Sequence, residues 1–561
     1  MGSTSVVTGI GVSPGRAAAP AALLPEPVAE PPAGRRLPPG ADTEAAAARV
    51  AEAADAVRAE LDAAAEAAEG ASADLLFATA AMAADPSLVA DAQERVRAEH
   101  LVPERAVWEA ADAVAAQLAE LGGYMAERVR DVVDVRDRLV ARLTGRPAPG
   151  LPVRPHPYVL VAHDLAPALT ATLDPARVVA VVTAAGGPTS HTAILARARG
   201  IPAVVAAPGA AGVAEGTPLL VDGASGRVTL DPSPEAVARV RALGAAVRTF
   251  DGDGRTADGH RVELLANVGD PAEAESAAAS GAQGVGLFRT EFAFLDRTEA
   301  PGVDEQVTAY GRVLAAFAGR KVVVRTLDAG ADKPLPFLRA APEANPALGV
   351  RGLRVADAQP QVLEDQLTAI ARAAAEHPGT TTWVMAPMVA TVEETEAFVA
   401  ACARHGLTAA GIMVEVPSAA LLAAPMLAHA AFASIGTNDL TQYTMAADRL
   451  LGAVARLSDA WQPAVLRLVE ATALGGAAQG RPVGVCGEAA ADPALAVVLA
   501  GLGVTSLSMT PRALPDVAAV LAATTWDECR RLARLAVESP GADHARSVVR
   551  RALPVLEELG L

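Results

Sequence analysis

From Glu44 to Glu69 apolar positions, mostly alanine, recur every three or four residues among Glu, Asp and Arg. The same rhythm returns in Asp85–His100, Pro103–Leu121 and Tyr124–Leu143, and four such segments predict a helical bundle ended by Gly145-Arg146-Pro147-Ala148-Pro149-Gly150. On either side the pattern shifts to short apolar runs. SVVTGIGV (5–12) predicts a strand running into the turn Ser13-Pro14-Gly15, and the stretch Pro20–Pro39 predicts an irregular connection. After the bundle come YVLVA (158–162), VVAVVT (178–183), PAVVA (202–206), PLLVD (218–222) and GRVTL (226–230). Because strand signals flank the helices, the bundle reads as an insertion into a compact α/β domain. The expected division is residues 1–20 and 146–230 for that domain, 21–145 for the insertion and 231–260 for a linker containing a helix at 232–249.

Residues 261–561 alternate strand and helix signals. The strand candidates are VELLANV (262–268), GVGLFR (284–289), VVVRTLD (322–328), TWVMAPM (382–388), GIMVEV (411–416), FASIG (432–436), PVGVCG (482–487) and SLSM (506–509). Eight β/α units in about 300 residues predict a TIM (β/α)8 barrel, with a doubly wound open sheet as the competing topology.

Composition narrows the picture. A chain of 561 residues exceeds a single core, and 47 basic against 65 acidic residues leave a net charge of −18, which argues against a nucleic-acid partner. The three cysteines, Cys402, Cys486 and Cys529, are widely spaced and form no CxxC pair, as expected of thiols in a reducing cytoplasm. The uncharged stretch Val416–Asn438 contains Pro425, His429 and Gly436, and its apolar residues are largely alanine; no membrane insertion is expected there.

In a barrel, chemistry belongs at the C-terminal strand ends. Five of the expected ends carry polar groups: Arg289 with Glu291, Arg325 with Asp328, Glu415, Asn438 with Asp439, and Cys486 with Glu488. Arg289 and Arg325 each close an apolar run, where an unpaired charge is unfavourable; they either form structural ion pairs, Arg289 with Glu291 for instance, or clamp a phosphate. Lys333 is one of only two lysines, with Lys321, in a chain otherwise reliant on arginine, and a compact ammonium there would suit an anion. Glu415 and Asp439 either neutralise the arginines or hold a divalent cation that also takes substrate oxygens. Cys486 is a small buried hydrophobe or, at an anion site, a proton donor.

A separate constellation lies in the smaller domain. A strand enters Gly186-Gly187-Pro188, after which Thr189 or Ser190 caps a helix whose first turn contains His191. Backbone N–H groups and the helix dipole there favour a negative group on the imidazole, although a histidine at a helix start also occurs as a bland neighbour of the cap.

Together these segments resemble enzyme I of the bacterial phosphoenolpyruvate:sugar phosphotransferase system, along essentially the whole chain. GGPTSHTAILAR (186–197) looks like the phosphohistidine motif of that family. GVGLFRTEF (284–292), VVVRTLDAGADK (322–333) and NPALGVRGLR (345–354) look like its substrate-arginine segments, and IMVEVPSA (412–419), IGTNDLTQYTMAADR (435–449) and VCGEAAAD (485–492) like its metal and proton-donor segments. The resemblance implies an α/β multidomain enzyme with a swivelling phosphohistidine domain, an inserted helical bundle that docks the phosphocarrier protein HPr, and a C-terminal TIM barrel that pairs into a homodimer. It implies that His191 takes the phosphoryl group of phosphoenolpyruvate (PEP) through Nε2 and passes it to HPr, releasing pyruvate. Arg289, Arg325, Arg449, Lys333, Arg351 and Asn438 would then bind substrate, Glu415 and Asp439 would hold Mg2+, with Asp439 also near the substrate, and Cys486 would protonate the enolate.

Two departures stand out. Pro188 occupies a position where many relatives carry arginine, and DLAPALT (164–170) keeps Thr170 as a partner for His191 but has Ala166 and Ala168. PEP synthase and pyruvate phosphate dikinase share the implied histidine domain and barrel, but residues 20–145 are too short and helical for the ATP-grasp domain those enzymes need. A non-enzymatic regulator on the same scaffold would have no need to keep His191, Arg289, Glu415, Asp439 and Cys486 together.

Overall fold

The computed structural model describes residues 5–561 apart from 14, 26–27, 67–76, 78, 122–128, 147–149, 153, 166–168, 170–171, 188–189, 245–247, 296, 331–334, 339–342 and 449–451. The chain divides into two compact units, one built on Met1–Ser13, Ala17–Gly186 and His191–Val237 and the other on Ala238–Leu561.

In the first unit, β1 (Val6–Thr8), β2 (Ile10–Ser13), β3 (Arg16–Leu23), β4 (Tyr158–Ala162), β5 (Val178–Thr183), β6 (Ala203–Val205), β7 (Pro218–Asp222) and β8 (Arg227–Leu230) form one sheet in the order β1-β8-β7-β3-β4-β5-β6-β2. The single strand expected at 5–12 is therefore two short strands at opposite edges of the sheet. They separate at Gly9, where a Cβ would lie 2.6 Å from the Val205 carbonyl oxygen and 2.7 Å from Ala207 Cβ. The irregular connection expected from Pro20 is also corrected, since β3 runs through Pro20 to Leu23. Alanine and proline hide this strand from a propensity reading. Pro20 is tolerated because pairing with β4 begins at Ala21, so its missing N–H interrupts no bond between those two strands.

Between β3 and β4 in sequence the described residues include the helices α1 (Thr43–Glu66), α2 (Pro86–Glu99), α3 (Pro103–Leu121) and α4 (Val129–Thr144). Their facing stripes share a core that includes Val50, Val57, Val96, Val107, Val135 and Leu139. Asp85 starts α2 by accepting the backbone N–H groups of Ser87 and Leu88. Because β3 and β4 are parallel neighbours, the bundle is an insertion between adjacent strands of one sheet. The α5 helix (His191–Arg199) follows β5, and α6 (Pro234–Gly244) is the shorter realisation of the expected linker helix.

In the second unit β9 (Glu263–Val268), β10 (Gly284–Arg289), β11 (Lys321–Arg325), β12 (Thr381–Ala386), β13 (Ala410–Val414), β14 (Ala433–Ile435), β15 (Val483–Val485) and β16 (Ser506–Met509) are all parallel, and β16 closes on β9. Every expected strand is present, and closure decides against the open sheet. Leu287, Val323, Met385, Met413, Phe432 and Cys486 pack inside the barrel, while Leu264, Val285, Phe288, Val322 and Val324 join the larger core beneath the helices. Burial on both faces explains the unbroken apolar runs. Several expected strands end early; β11 stops at Arg325 rather than Asp328, and β13 at Val414, so Asp328 and Glu415 stand in the loops above the rim. Among the described residues no helix is long and apolar enough to cross a membrane, and the uncharged stretch Val416–Asn438 is broken into short helices and β14.

Candidate active site

Strand register puts Arg289 directly opposite Arg325 at the C-terminal ends of β10 and β11. Like charges facing one another across a strand pair are destabilising, so an apolar barrel does not acquire them for its own stability. Their environments differ. The Arg325 side chain is 9% exposed; it donates to Glu291 Oε1 at 3.0 Å and lies 3.3 Å from Asp328 Oδ2. Burial alone would lower its pKa, but Glu291, Asp328 and Glu415 outweigh that and raise it. Arg289 is exposed and has no ion-pair partner among the described residues. The crowded barrel mouth, and then the charge of Arg325, hold its guanidinium below the ordinary arginine range. The expected Arg289–Glu291 pair is thus replaced by Arg325–Glu291, which leaves Arg289 available to an anion.

The acids gather beside them. Arg351, 1% exposed, donates through one guanidinium nitrogen to both Asp328 oxygens at 3.1 and 3.3 Å and through another to Asp439 Oδ1 at 3.1 Å. Arg351 comes from the long loop after β11, and an isolated bridge between Arg351 and Gly330 pins that loop. Glu415 accepts the backbone N–H of Met388 at 2.9 Å. Met388 holds a left-handed φ of 59°, a conformation unfavourable by roughly 1–2 kcal/mol for a residue other than glycine, and that turn directs its N–H to the carboxylate. Gly436 admits Glu415 from the other side: a Cβ there would lie 2.8 Å from Glu415 Oε1. Burial, then the charges of Asp439 and Asp328, push the Glu415 carboxyl up to about 8. Asp439 sits in the first turn of the helix Thr437–Met445, at its positive end, and Asn438 beside it is half-buried.

Whether these residues suit a divalent metal can be judged from that repulsion. A buried carboxyl whose ionisation is opposed by two neighbouring acids is stabilised by a cation. Among the described residues no three His, Cys, Asp or Glu side chains assemble into a full cage, so two carboxylates would supply the protein's share and substrate oxygens or water the remainder. Arg325 Nε and Thr437 Oγ1, both buried, have no hydrogen-bond partner among the described residues, which further suits a site completed by a ligand.

Cys486, at the top of β15, is 1% exposed, and its thiol lies 3.6 Å from the Ile435 carbonyl oxygen. Burial pushes the thiol up to about 11, with Glu415 adding to the shift and Ser434, Arg325 and Arg289 opposing it. At neutral pH the group is therefore a thiol, a carrier of a proton rather than a nucleophile.

In the other unit α5 starts at His191, four residues beyond Gly187 in sequence; Gly186 has φ 91°. The His191 side chain, Pro188, Thr189, Thr170, Ala166 and Ala168 lie outside the described residues, as do Lys333 and Arg449 of the barrel. The structure thus brings together Arg289, Arg325, Arg351, Glu415, Asn438, Asp439 and Cys486 around one rim. It adds contributors that residue-type reasoning passed over, namely the Met388 N–H and the Ser434 hydroxyl. A backbone group leaves no mark in a sequence, and a serine inside a strand reads as a weak strand former.

Comparison with known proteins matches the chain in three segments. The N-terminal domain of PEP-utilising enzymes matches residues 8–128, their mobile domain 154–226, and their PEP-binding domain 246–525, which defines the class. Within it, the chain is 51% identical over 555 residues to the phosphoenolpyruvate-protein phosphotransferase of Streptomyces coelicolor, covering 98% of this chain and 99% of that one. It is 44% identical over 457 residues to the protein of the same name from Haloferax volcanii, covering 78% of this chain and 80% of that one. The chain belongs to the phosphoenolpyruvate-protein phosphotransferase family.

Proposed function

We propose that the chain transfers the phosphoryl group of PEP to Nε2 of His191 and from there to a histidine of HPr, releasing pyruvate as the first step of a sugar phosphotransferase system. The observation that carries this reading is the open Arg289 held in register with Arg325, above buried acids and a protonated thiol. Phosphoryl transfer asks little covalent work of a protein; positioned cations supply most of the stabilisation. Arg289 and Arg325 hold the phosphate, with Asn438, Lys333 and Arg449 completing the contacts to phosphate and carboxylate. Arg351 locks Asp328 and Asp439 in place and lends positive charge beneath the substrate. Glu415 and Asp439 would hold Mg2+, which when bound neutralises charge on the substrate's phosphate and enolate oxygens. As the P–O bond breaks, the Cys486 S–H proton passes to C3 of the enolate and pyruvate forms. The start of α5, with its dipole, suits a phosphorylated His191.

The helical insertion α1–α4 is the docking site for HPr, and the barrel is the pairing surface of a homodimer. Three free, buried cysteines accord with a cytoplasmic setting. The deciding experiment is incubation with PEP and Mg2+ followed by mass spectrometry. An acid-labile, base-stable phosphoryl group on His191 is expected. Absence of label, or its survival in His191→Ala, overturns the reading.

A further inference from the structure

Once Cys486 has given up its proton it is a buried thiolate at the top of β15. The thiol must be reprotonated before another turnover. The barrel interior offers a second approach. Ser434 of β14 is in register with Gly484 of β15, so Ser434 and Cys486, two residues further along, lie on the same face of the sheet, toward the barrel interior. Gly484 supplies no side chain between them, and the Ser434 hydroxyl acts on the Cys486 sulfur by favouring its thiolate.

Ser434 also lines a cavity that enters the barrel from the end opposite the rim, beside Lys321, Ser506 and Ser508. Lys321 and Ser506 are the first residues of their strands and only partly buried, so the cavity meets solvent there. It has about 20 Å³ of room for the centre of a water molecule, enough for one water and lined by several hydroxyls to hold it. Lys321 donates to Glu263 at 2.5 Å and lies 4.6 Å from the centre of the Trp383 ring, which fixes a charged entrance. Deeper in, Ser508 donates to Asn267 Oδ1 at 2.6 Å, and Asn267 in turn donates to the Cys486 carbonyl at 3.1 Å, so this wall of the cavity is tied to the same residue.

We propose that Ser434 and the water-sized cavity behind it return the proton to Cys486 from the N-terminal end of the barrel. The step balances. The Ser434 O–H proton passes to the Cys486 thiolate as the S–H bond forms, and the serine oxygen takes a replacement from cavity water, which recovers a proton from bulk solvent. In the reverse sense the same relay carries a proton abstracted from the pyruvate methyl group out to solvent. Ser434 is thus a positioning and relay residue acting through Cys486.

The proposal rests on Cys486 being the proton donor, and the test separates the two. The full-length protein with Mg2+ and saturating pyruvate is placed in D2O, and methyl proton exchange is followed by proton NMR. Ser434→Ala is expected to slow exchange at least about tenfold, within the usual range for loss of a positioned proton-transfer group, without changing the pyruvate concentration for half-saturation. Ser434→Thr, which restores a hydroxyl, is expected to recover most of the rate, and Cys486→Ala to abolish exchange. If Ser434→Ala exchanges like wild type while Cys486→Ala is inactive, the relay is wrong and the donor stands. If Ser434→Thr is as slow as Ser434→Ala, the hydroxyl is not the operative group and the relay is equally wrong. If Cys486→Ala exchanges normally, the underlying assignment of the donor fails.

Discussion

Both units are built on eight strands, and they use them in opposite ways. The first leaves its sheet open, with β1 and β2 as edges, and carries its reactive candidate at the start of one helix after one strand. The second closes its strands into a ring, so residues separated by nearly two hundred positions, from Arg289 to Cys486, meet at one rim. Closure collects chemistry. In the open sheet a single turn has to be right, whereas in the barrel the topology itself assembles five loops, and the electrostatic strain of the site is shared among them. That is why like-charged Arg289 and Arg325 can stand side by side: the ring also delivers Glu291, Asp328, Glu415 and Asp439.

This contrast can be broken at several points. The largest effect is expected from His191→Ala, which removes phosphorylation altogether yet leaves pyruvate methyl exchange by the barrel intact; loss of both would show that the two functions are not separable. Cys486→Ala should reduce turnover from PEP by about 10²–10⁴-fold while still accepting phosphate from phosphorylated HPr, checked by gel or mass shift from both donors. Equal loss in both directions would remove the thiol from its role.

The two kinds of arginine should separate stability from catalysis. Arg351→Ala strands Asp328 and Asp439 and should destabilise the barrel by about 3–5 kcal/mol in denaturant unfolding. Arg289→Ala should leave unfolding unchanged or slightly improved, while lowering kcat/KM for PEP roughly 10²-fold, about 3 kcal/mol. The smallest effect concerns pH. Glu415 has a folded pKa raised to about 8, above its unfolded value, so it contributes stability below the ordinary carboxylate range that is lost as pH rises through 8. Without metal the barrel should therefore weaken between about pH 5 and 8. Because metal binding displaces the proton, Mg2+ affinity measured by calorimetry should climb over the same interval. Glu415→Gln should flatten both trends.

How much of this was legible beforehand follows the same division. All eight barrel strands could be read, because a parallel strand buried on both faces is an unbroken apolar run. In the open sheet β3 escaped notice, since Ala17–Ala22 around Pro20 lacks the β-branched residues that mark strands. Arg289, Glu415, Asp439 and Cys486 were legible as polar residues interrupting apolar runs. Their partners were not. No spacing rule says that Arg325 rather than Arg289 takes Glu291, or that Arg351, carried on a long loop, comes to rest between Asp328 and Asp439. Met388 contributes only a backbone N–H held by an unusual φ, and such a feature exists only in three dimensions.

The position of the helical insertion has a consequence for engineering. Because β3 and β4 run parallel side by side, the chain leaving the top of one must travel the full length of the sheet before entering the other. The inserted helices therefore double as a crossover. Excising them with a two-residue join, as one would trim a hairpin, would tear the sheet at its centre. A minimal variant lacking the bundle needs a replacement of about a dozen residues or more, ideally a single helix, and its handedness must match that of the segment removed.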